Sequence, residues 1–207
     1  MTAGRATLGF RVKSGWAVSI LIGGSARSPH LCESDAINLS DPRNPEMRQP
    51  YHAAMGMLET NAAKLTRRVQ GVRRATERSV VDLLKRYADD GYKIRRAALV
   101  VGSVIDPDSI ANPHIRAHAL EGRLFRTTLE AVLQSRGIQC AIFIERDTYA
   151  TASKLLRQSR TQIQRTLAHL RRSVNGPWRA DQKLAALAAW MSLYQFSPSD
   201  ALGDLAA

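Results

Sequence analysis

Two short apolar runs, each following a stretch of helical sequence, most constrain the fold of this chain. Residues 97–101 and 140–144 are continuous apolar segments of five residues, a length that suits a buried strand and is too short for a buried helix. The segments before them carry apolar residues every three or four positions, which indicates amphipathic helices. Buried strands that alternate with helices predict an α/β fold in which helices cover both faces of a sheet.

The residues before the first helix indicate strands that pair in chain order. Residues 8–12 and 17–22 are apolar or β-branched runs, and residues 13–15 between them complete a hairpin pattern. A third strand is predicted over 32–39, ahead of the turn-forming residues 41–45. We therefore expect the chain to open with a three-strand meander, which makes the sheet mixed.

Helical periodicity predicts four helices. The second of them has a clear start, because Asn112 is a good N-cap and Pro113 suits the first helical position. Gly91 and Gly137 supply stop signals for the first two helices. The predicted helices cover 52–90, 113 to the terminator Gly137, 148–172 and 181–193.

Four stretches carry a family resemblance. Residues 8–17 look like the first hairpin of the RuvC nucleases, and residues 119–123 and 148–154 look like a helix and a post-strand segment of that family. Residues 179–188, an Asp followed by an Ala-rich run, look like its final helix. The resemblance implies an RNase H-like mixed sheet with C-terminal helices. It also implies a chemistry in which about four carboxylates hold two metal ions that clamp the oxygens of a phosphodiester.

The carboxylates that this resemblance implies are largely missing. Arg11 stands where the family has its first-strand Asp, and residues 102–103 stand where an acid should end the fourth strand. Asp106 lies slightly downstream, and only Asp181 matches a family carboxylate well. We therefore expect a degenerate site in which Arg11 pairs with Asp181 or Asp106, since a buried cation needs such a partner. A simpler interpretation of Asp181 is that it complements the positive end of its helix.

A rearranged nuclease site is the first alternative. It would use Asp106, Asp181 and Glu121 as catalytic carboxylates with Mg²⁺ or Mn²⁺, whereas the degenerate-site hypothesis expects no cofactor. His114 and His118, together with Glu121, lie at i, i+4 and i+7 and so share one side of a helix. Two histidines at this spacing can bind zinc, but they supply few ligands locally. We therefore predict that replacing them leaves the metal content unchanged; the sequence does not place His52 relative to them.

Basic residues indicate a nucleic-acid partner. The net charge is +12 and the pI about 10.5, which is typical of proteins that meet phosphate backbones. Residues 61–100 contain eleven basic and four acidic residues, and residues 151–180 contain seven basic and no acidic residues. We predict binding of nucleic acid, DNA rather than RNA, through Arg67, Arg74, Arg78, Lys154, Arg157, Arg165 and Arg172.

Two other interpretations of these charges stay open. The basic segments could be solvated helix faces without a ligand. A third class of function is a scaffold, in which the long basic helix pairs with a protein partner or with a second copy of the chain.

Other features bound the setting. Cys32 and Cys140 lack the spacing of a zinc site or a disulfide framework. No run of about 18 apolar residues suggests a membrane span, and the N-terminus does not resemble a secretory signal. We expect a soluble cytoplasmic protein without membrane contact, formed as one domain over 1–207 with a frayed tail over 196–207.

Overall fold

A mixed five-stranded sheet forms the centre of the computed structural model, which describes residues 4–53, 56–173 and 176–194. The strand order is β3-β2-β1-β4-β5. The first three strands form the predicted antiparallel meander, whereas β4 pairs parallel to β1 and β5 pairs parallel to β4. The strands are β1 (Gly4–Lys13), β2 (Trp16–Gly24), β3 (Pro29–Asn38), β4 (Tyr92–Val101) and β5 (Gln139–Ile144).

In the described part of the chain, five α-helices cover the sheet, as the predicted α/β class requires. α1 and α2 pack on one face, against a buried cluster that includes Leu8, Phe10 and Val12 of β1. α3, α4 and α5 pack on the other face, against a second buried cluster that includes Val18 and Ile20 of β2. The helices are α1 (Ala62–Asp89), α2 (Pro113–Ser135), α3 (Thr148–Leu156), α4 (Arg160–Leu170) and α5 (Ala180–Tyr194).

Two predicted helices differ from the structure. The long helix begins at Ala62 rather than near His52, because Asn61 caps it by accepting a hydrogen bond from the Lys64 amide at 3.0 Å. The predicted helix over 148–172 is broken at Arg157, whose backbone is left-handed with φ of 52°. Ser159 then starts α4 with a capping box that includes Gln162.

Other predicted boundaries shift by a few residues. β4 begins at Tyr92, five residues before the apolar run at 97–101, because its first half alternates between half-buried and exposed residues. The predicted tail over 196–207 lies outside the described residues. Within the described ranges, no helix is long and apolar enough to cross a membrane.

β1 and α5 meet along a matched repeat. Every second residue of β1 faces α5, at a spacing of about 6.7 Å along a strand. Every fourth residue of the helix recurs at about 6 Å, so the two repeats stay in step over three contacts. The contacting pairs are Thr7 with Ala189, Gly9 with Ala185, and Arg11 with Asp181. This match places the first turn of α5 beside the carboxyl end of β1.

Candidate functional site

A cleft opens at the edge of the sheet where the parallel strands β1 and β4 end. Its volume is about 400 Å³. The carboxyl ends of parallel strands are the usual place for ligand sites in α/β sheets. One side of the cleft is formed by Arg11 and Lys13 of β1, the middle by Gly102 and Ser103 after β4, and the far side by α2, including His118.

Arg11 is buried at the inner end of this cleft. Only 4% of its side chain is exposed. Its guanidinium donates hydrogen bonds to the carbonyls of Val12 at 2.8 Å and Val100 at 3.3 Å. It also forms an ion pair with Glu145, which follows β5, and its Nε lies 3.6 Å from Oδ1 of Asp181. The predicted pairing of Arg11 with Asp181 is therefore confirmed, and Asp106 is not its partner.

Lys13 completes a neutral network around Asp181. Its Nζ lies 3.1 Å from Oδ1 of Asp181. The network contains two cations, Arg11 and Lys13, and two carboxylates, Glu145 and Asp181. The charge of each carboxylate is therefore compensated by protein, whereas a metal centre needs carboxylates whose charge is left for the ion. Asp181 also lies in the first turn of α5, so pairing with Arg11 and complementing the helix end are compatible.

Glu145 is a site residue that sequence analysis missed. It directly follows β5, which is parallel to β4. The sequence offered a signal for Glu145, because an acid directly after a buried parallel strand lies at the same edge of the sheet as the ends of the other parallel strands.

The three predicted catalytic carboxylates occupy separate networks. Asp181 belongs to the Arg11 network described above. Asp106 is 65% exposed and lies 3.6 Å from the guanidinium of Arg123. Glu121 is fully buried among histidines. Each of the three carboxylates therefore contacts a different set of basic side chains.

Glu121 is the centre of a histidine cluster on the α2 side of the cleft. Its Oε1 lies 2.7 Å from Nδ1 of His52, and its Oε2 lies 3.5 Å from Nδ1 of His118. Burial raises the pKa of Glu121, although the hydrogen bond from His52 acts in the opposite direction. His114 lies against His52 and His118, with ring centroids 5.1 Å and 4.7 Å away.

The loop that precedes α1 positions His52. The backbone of this loop closes through an isolated bridge between His52 and Leu58. The buried guanidinium of Arg68 on α1 fixes the loop through three hydrogen bonds. It donates to the carbonyls of Pro50 at 3.2 Å and His52 at 3.1 Å, and to the Glu59 carboxylate at 3.3 Å. Sequence periodicity assigned this loop to the helix, so it missed the role of Arg68 and left the position of His52 relative to α2 open.

The predicted nucleic-acid-binding residues are all exposed, but they lie on two faces of the molecule. Arg67, Arg74 and Arg78 are on α1, on one face of the sheet. The other group surrounds α3 and α4 on the opposite face. Because the helix is broken at Arg157, that group is not the single straight row predicted from the sequence. Its members are Lys154, Arg157, Arg165 and Arg172.

Comparison with known proteins identifies the fold. The sequence matches no protein-family model, and no curated protein sequence matches it. Thermus thermophilus RuvC superposes with a TM-score of 0.53 at 9% identity, covering 92% of this chain and 95% of RuvC. The same protein in complex with a Holliday junction substrate gives a TM-score of 0.54 at 8% identity, covering 92% and 94%.

A third solved structure is also similar. The yeast mitochondrial Holliday junction resolvase gives a TM-score of 0.48 at 12% identity, covering 99% of this chain and 86% of the resolvase. Identities this low define a fold and nothing finer. On the two RuvC structures, the chain has the RNase H-like, RuvC-type fold that its sequence pattern predicted.

Proposed function

We propose that this chain binds duplex or branched DNA and does not perform the two-metal cleavage that RuvC nucleases perform. The observation that carries the proposal is the buried Arg11. It occupies the end of β1 where the resemblance implies the first metal-binding carboxylate, and it is paired with Asp181 and Glu145. A guanidinium at this point repels a divalent cation and occupies the carboxylates that would bind one.

The charge distribution supports a polyanionic ligand. The chain carries a net charge of +12, and both exposed basic surfaces described above remain open to solvent. Groups of exposed basic side chains bind nucleic acid by releasing counterions from its phosphates. Because the two surfaces lie on opposite faces of the sheet, a branched ligand could contact both, whereas a single straight duplex would contact one. RuvC, whose fold this chain shares, has been solved with a Holliday junction substrate.

The salt dependence of binding tests the proposal. Log affinity falls as log salt rises, with a slope of about −0.9 per phosphate contact. Replacing Lys154, Arg165 and Arg172 together by Gln should make this slope shallower by roughly two to three units on duplex DNA. Folding should be unchanged, because exposed charges contribute little to stability. The measurement is fluorescence anisotropy with labelled duplex and four-way junction DNA over a salt series.

A matched triple variant identifies the face that binds. Replacing Arg67, Arg74 and Arg78 by Gln removes the same charge from the opposite surface. If only one triple variant changes the salt slope, a duplex binds the face that this variant alters. If both triple variants change the slope, and only on junction DNA, the ligand is branched DNA that contacts both faces. If the unaltered protein shows no binding near physiological salt, the proposal fails and the scaffold function of the long helix takes its place.

A metal-dependent nuclease remains the second candidate, favoured by the histidine cluster, whose member His118 lines the same cleft as Arg11. We expect no cleavage of junction or linear DNA by the unaltered protein with Mg²⁺ or Mn²⁺. Cleavage that is abolished in Asp181→Asn would contradict this expectation and establish the nuclease.

A further inference from the structure

Three histidines converge although they come from two distant parts of the chain. His52 is on the loop before α1, whereas His114 and His118 are one turn apart on α2. One ring nitrogen of each lies within 4.8 Å of one ring nitrogen of each of the others. The convergence depends on Arg68, which fixes the backbone carbonyl of His52 at 3.1 Å.

The hydrogen bonds of His52 and His114 set the tautomers of these two rings. Nδ1 of His52 faces the Glu121 carboxylate, and Nδ1 of His114 lies 3.0 Å from the carbonyl oxygen of Gly56. Nδ1 of His118 lies 3.5 Å from the second oxygen of Glu121, an ion-pair distance without a hydrogen bond. Carboxylate and carbonyl oxygens only accept hydrogen bonds, so in the neutral rings of His52 and His114 Nδ1 carries the proton and Nε2 keeps a free lone pair.

The Nε2 atom of His52 is buried and unsatisfied. The side chain of His52 is 9% exposed, and among the described residues its Nε2 has no hydrogen-bond partner. A buried polar atom without a partner costs free energy and calls for an explanation. A bound cation would supply the missing partner.

We infer that His52, His114 and His118 bind a zinc-type divalent cation through their Nε2 atoms, with Glu121 as the carboxylate that orients His52 and His118. Imidazole nitrogens suit zinc, and a metal-bound histidine usually donates its other ring N–H to a carboxylate or a carbonyl. His52 and His114 make that second contact here, and Nδ1 of His118 lies 3.5 Å from the Glu121 carboxylate.

Zinc binding requires the three rings to move closer together. Ligand nitrogens of a tetrahedral zinc ion at about 2.0–2.1 Å lie roughly 3.3 Å apart, whereas one ring nitrogen of each histidine lies within 4.8 Å of the others. His114 and His118 are exposed, so their side chains are able to rotate inward, whereas His52 is held in place. The exposed side of these two rings leaves the fourth position to water or another oxygen ligand, as in zinc sites with three histidine ligands.

The inferred site departs from the prediction that replacing His114 and His118 leaves the metal content unchanged. That prediction counted the possible ligands of one helix, and the structure places His52 and Glu121 beside them. The site is independent of the proposed DNA binding, because none of its residues belongs to the basic surfaces or to the Arg11 network.

Zinc titration of the full-length protein after chelator treatment tests the inference. With a chromophoric competitor, we expect one zinc ion per chain, and zinc should raise the melting temperature through linkage. His118→Ala should weaken binding by more than the roughly 100-fold that marks the upper end for outer-shell changes, and Glu121→Gln should weaken it by roughly 10- to 100-fold. Substituted Co²⁺ should give the absorption bands of a tetrahedral site.

Controls make the result specific. His169→Ala alters an exposed histidine of α4 and should leave the zinc affinity unchanged. His114→Ala provides a second test on an exposed ligand if His118→Ala folds poorly, with circular dichroism checking both. Absence of stoichiometric zinc, or zinc that binds His118→Ala and His114→Ala as tightly as the unaltered protein, overturns the inference.

Discussion

Arg11→Asp is expected to lower the melting temperature strongly in the absence of metal and to make it respond to Mg²⁺ or Mn²⁺. The substitution removes the guanidinium and places a third carboxylate beside Glu145 and Asp181. Leaving a buried charge uncompensated costs about 3–5 kcal/mol. A divalent cation supplies the missing positive charge, and at 100 times its Kd it should return about 2.7 kcal/mol.

Arg11→Met is the matched control for that experiment. Methionine keeps an extended side chain in the same place without adding an acid, and Lys13 still pairs with Asp181 at 3.1 Å. We expect a smaller loss of stability and no response to divalent cations. Thermal unfolding with and without Mg²⁺ measures both variants. An equal response of Arg11→Asp and Arg11→Met would show that the Arg11 network does not stand in the place of a metal centre.

Gly9→Ala is expected to lower the free energy of unfolding by about 3 kcal/mol or more, the upper end for overpacking a core. A Cβ at Gly9 would lie 1.8 Å from the carbonyl oxygen of Ala185 and 2.7 Å from the amide nitrogen of Ala189. Both are backbone atoms of α5, so no side-chain rotation relieves the contact and the helix must leave the strand. Asp181 would then move away from Arg11, because it lies one turn before Ala185 on the same helix.

Gly122→Ala is the matched control on an exposed helix position. A Cβ there meets nothing within 4 Å, so the change should be neutral or should stabilise α2 by up to about 1 kcal/mol through helix propensity. Urea unfolding compares the two variants. Similar stabilities for both would mean that β1 and α5 are not in the close contact described here.

Local pattern was sufficient to predict most of the architecture. The apolar or β-branched run at 17–22 and the apolar runs at 97–101 and 140–144 indicated the strands, because a short apolar run bounded by turn residues suits a buried strand better than a helix. The order of these elements predicted a mixed α/β sheet, and the resemblance of four local stretches to the RuvC nucleases predicted the RuvC-type fold. The position of Arg11 in β1 was enough to predict an acidic partner, since a buried cation needs one, but the sequence left Asp181 and Asp106 as alternatives and the structure decided for Asp181.

Features that depend on contacts between distant segments were decided only by the tertiary structure. Arg11 and Glu145 are 134 residues apart, and His52 and Glu121 are 69 apart. The sequence pattern of the loop that carries His52 does not predict where this loop packs. Helical periodicity assigned the loop to α1. The buried hydrogen bonds of Arg68 fix the position of the loop. The sheet separates the two basic surfaces, because their helices pack on opposite faces of it. Neither is encoded in any short stretch of sequence, because both require that the strands and helices are already packed.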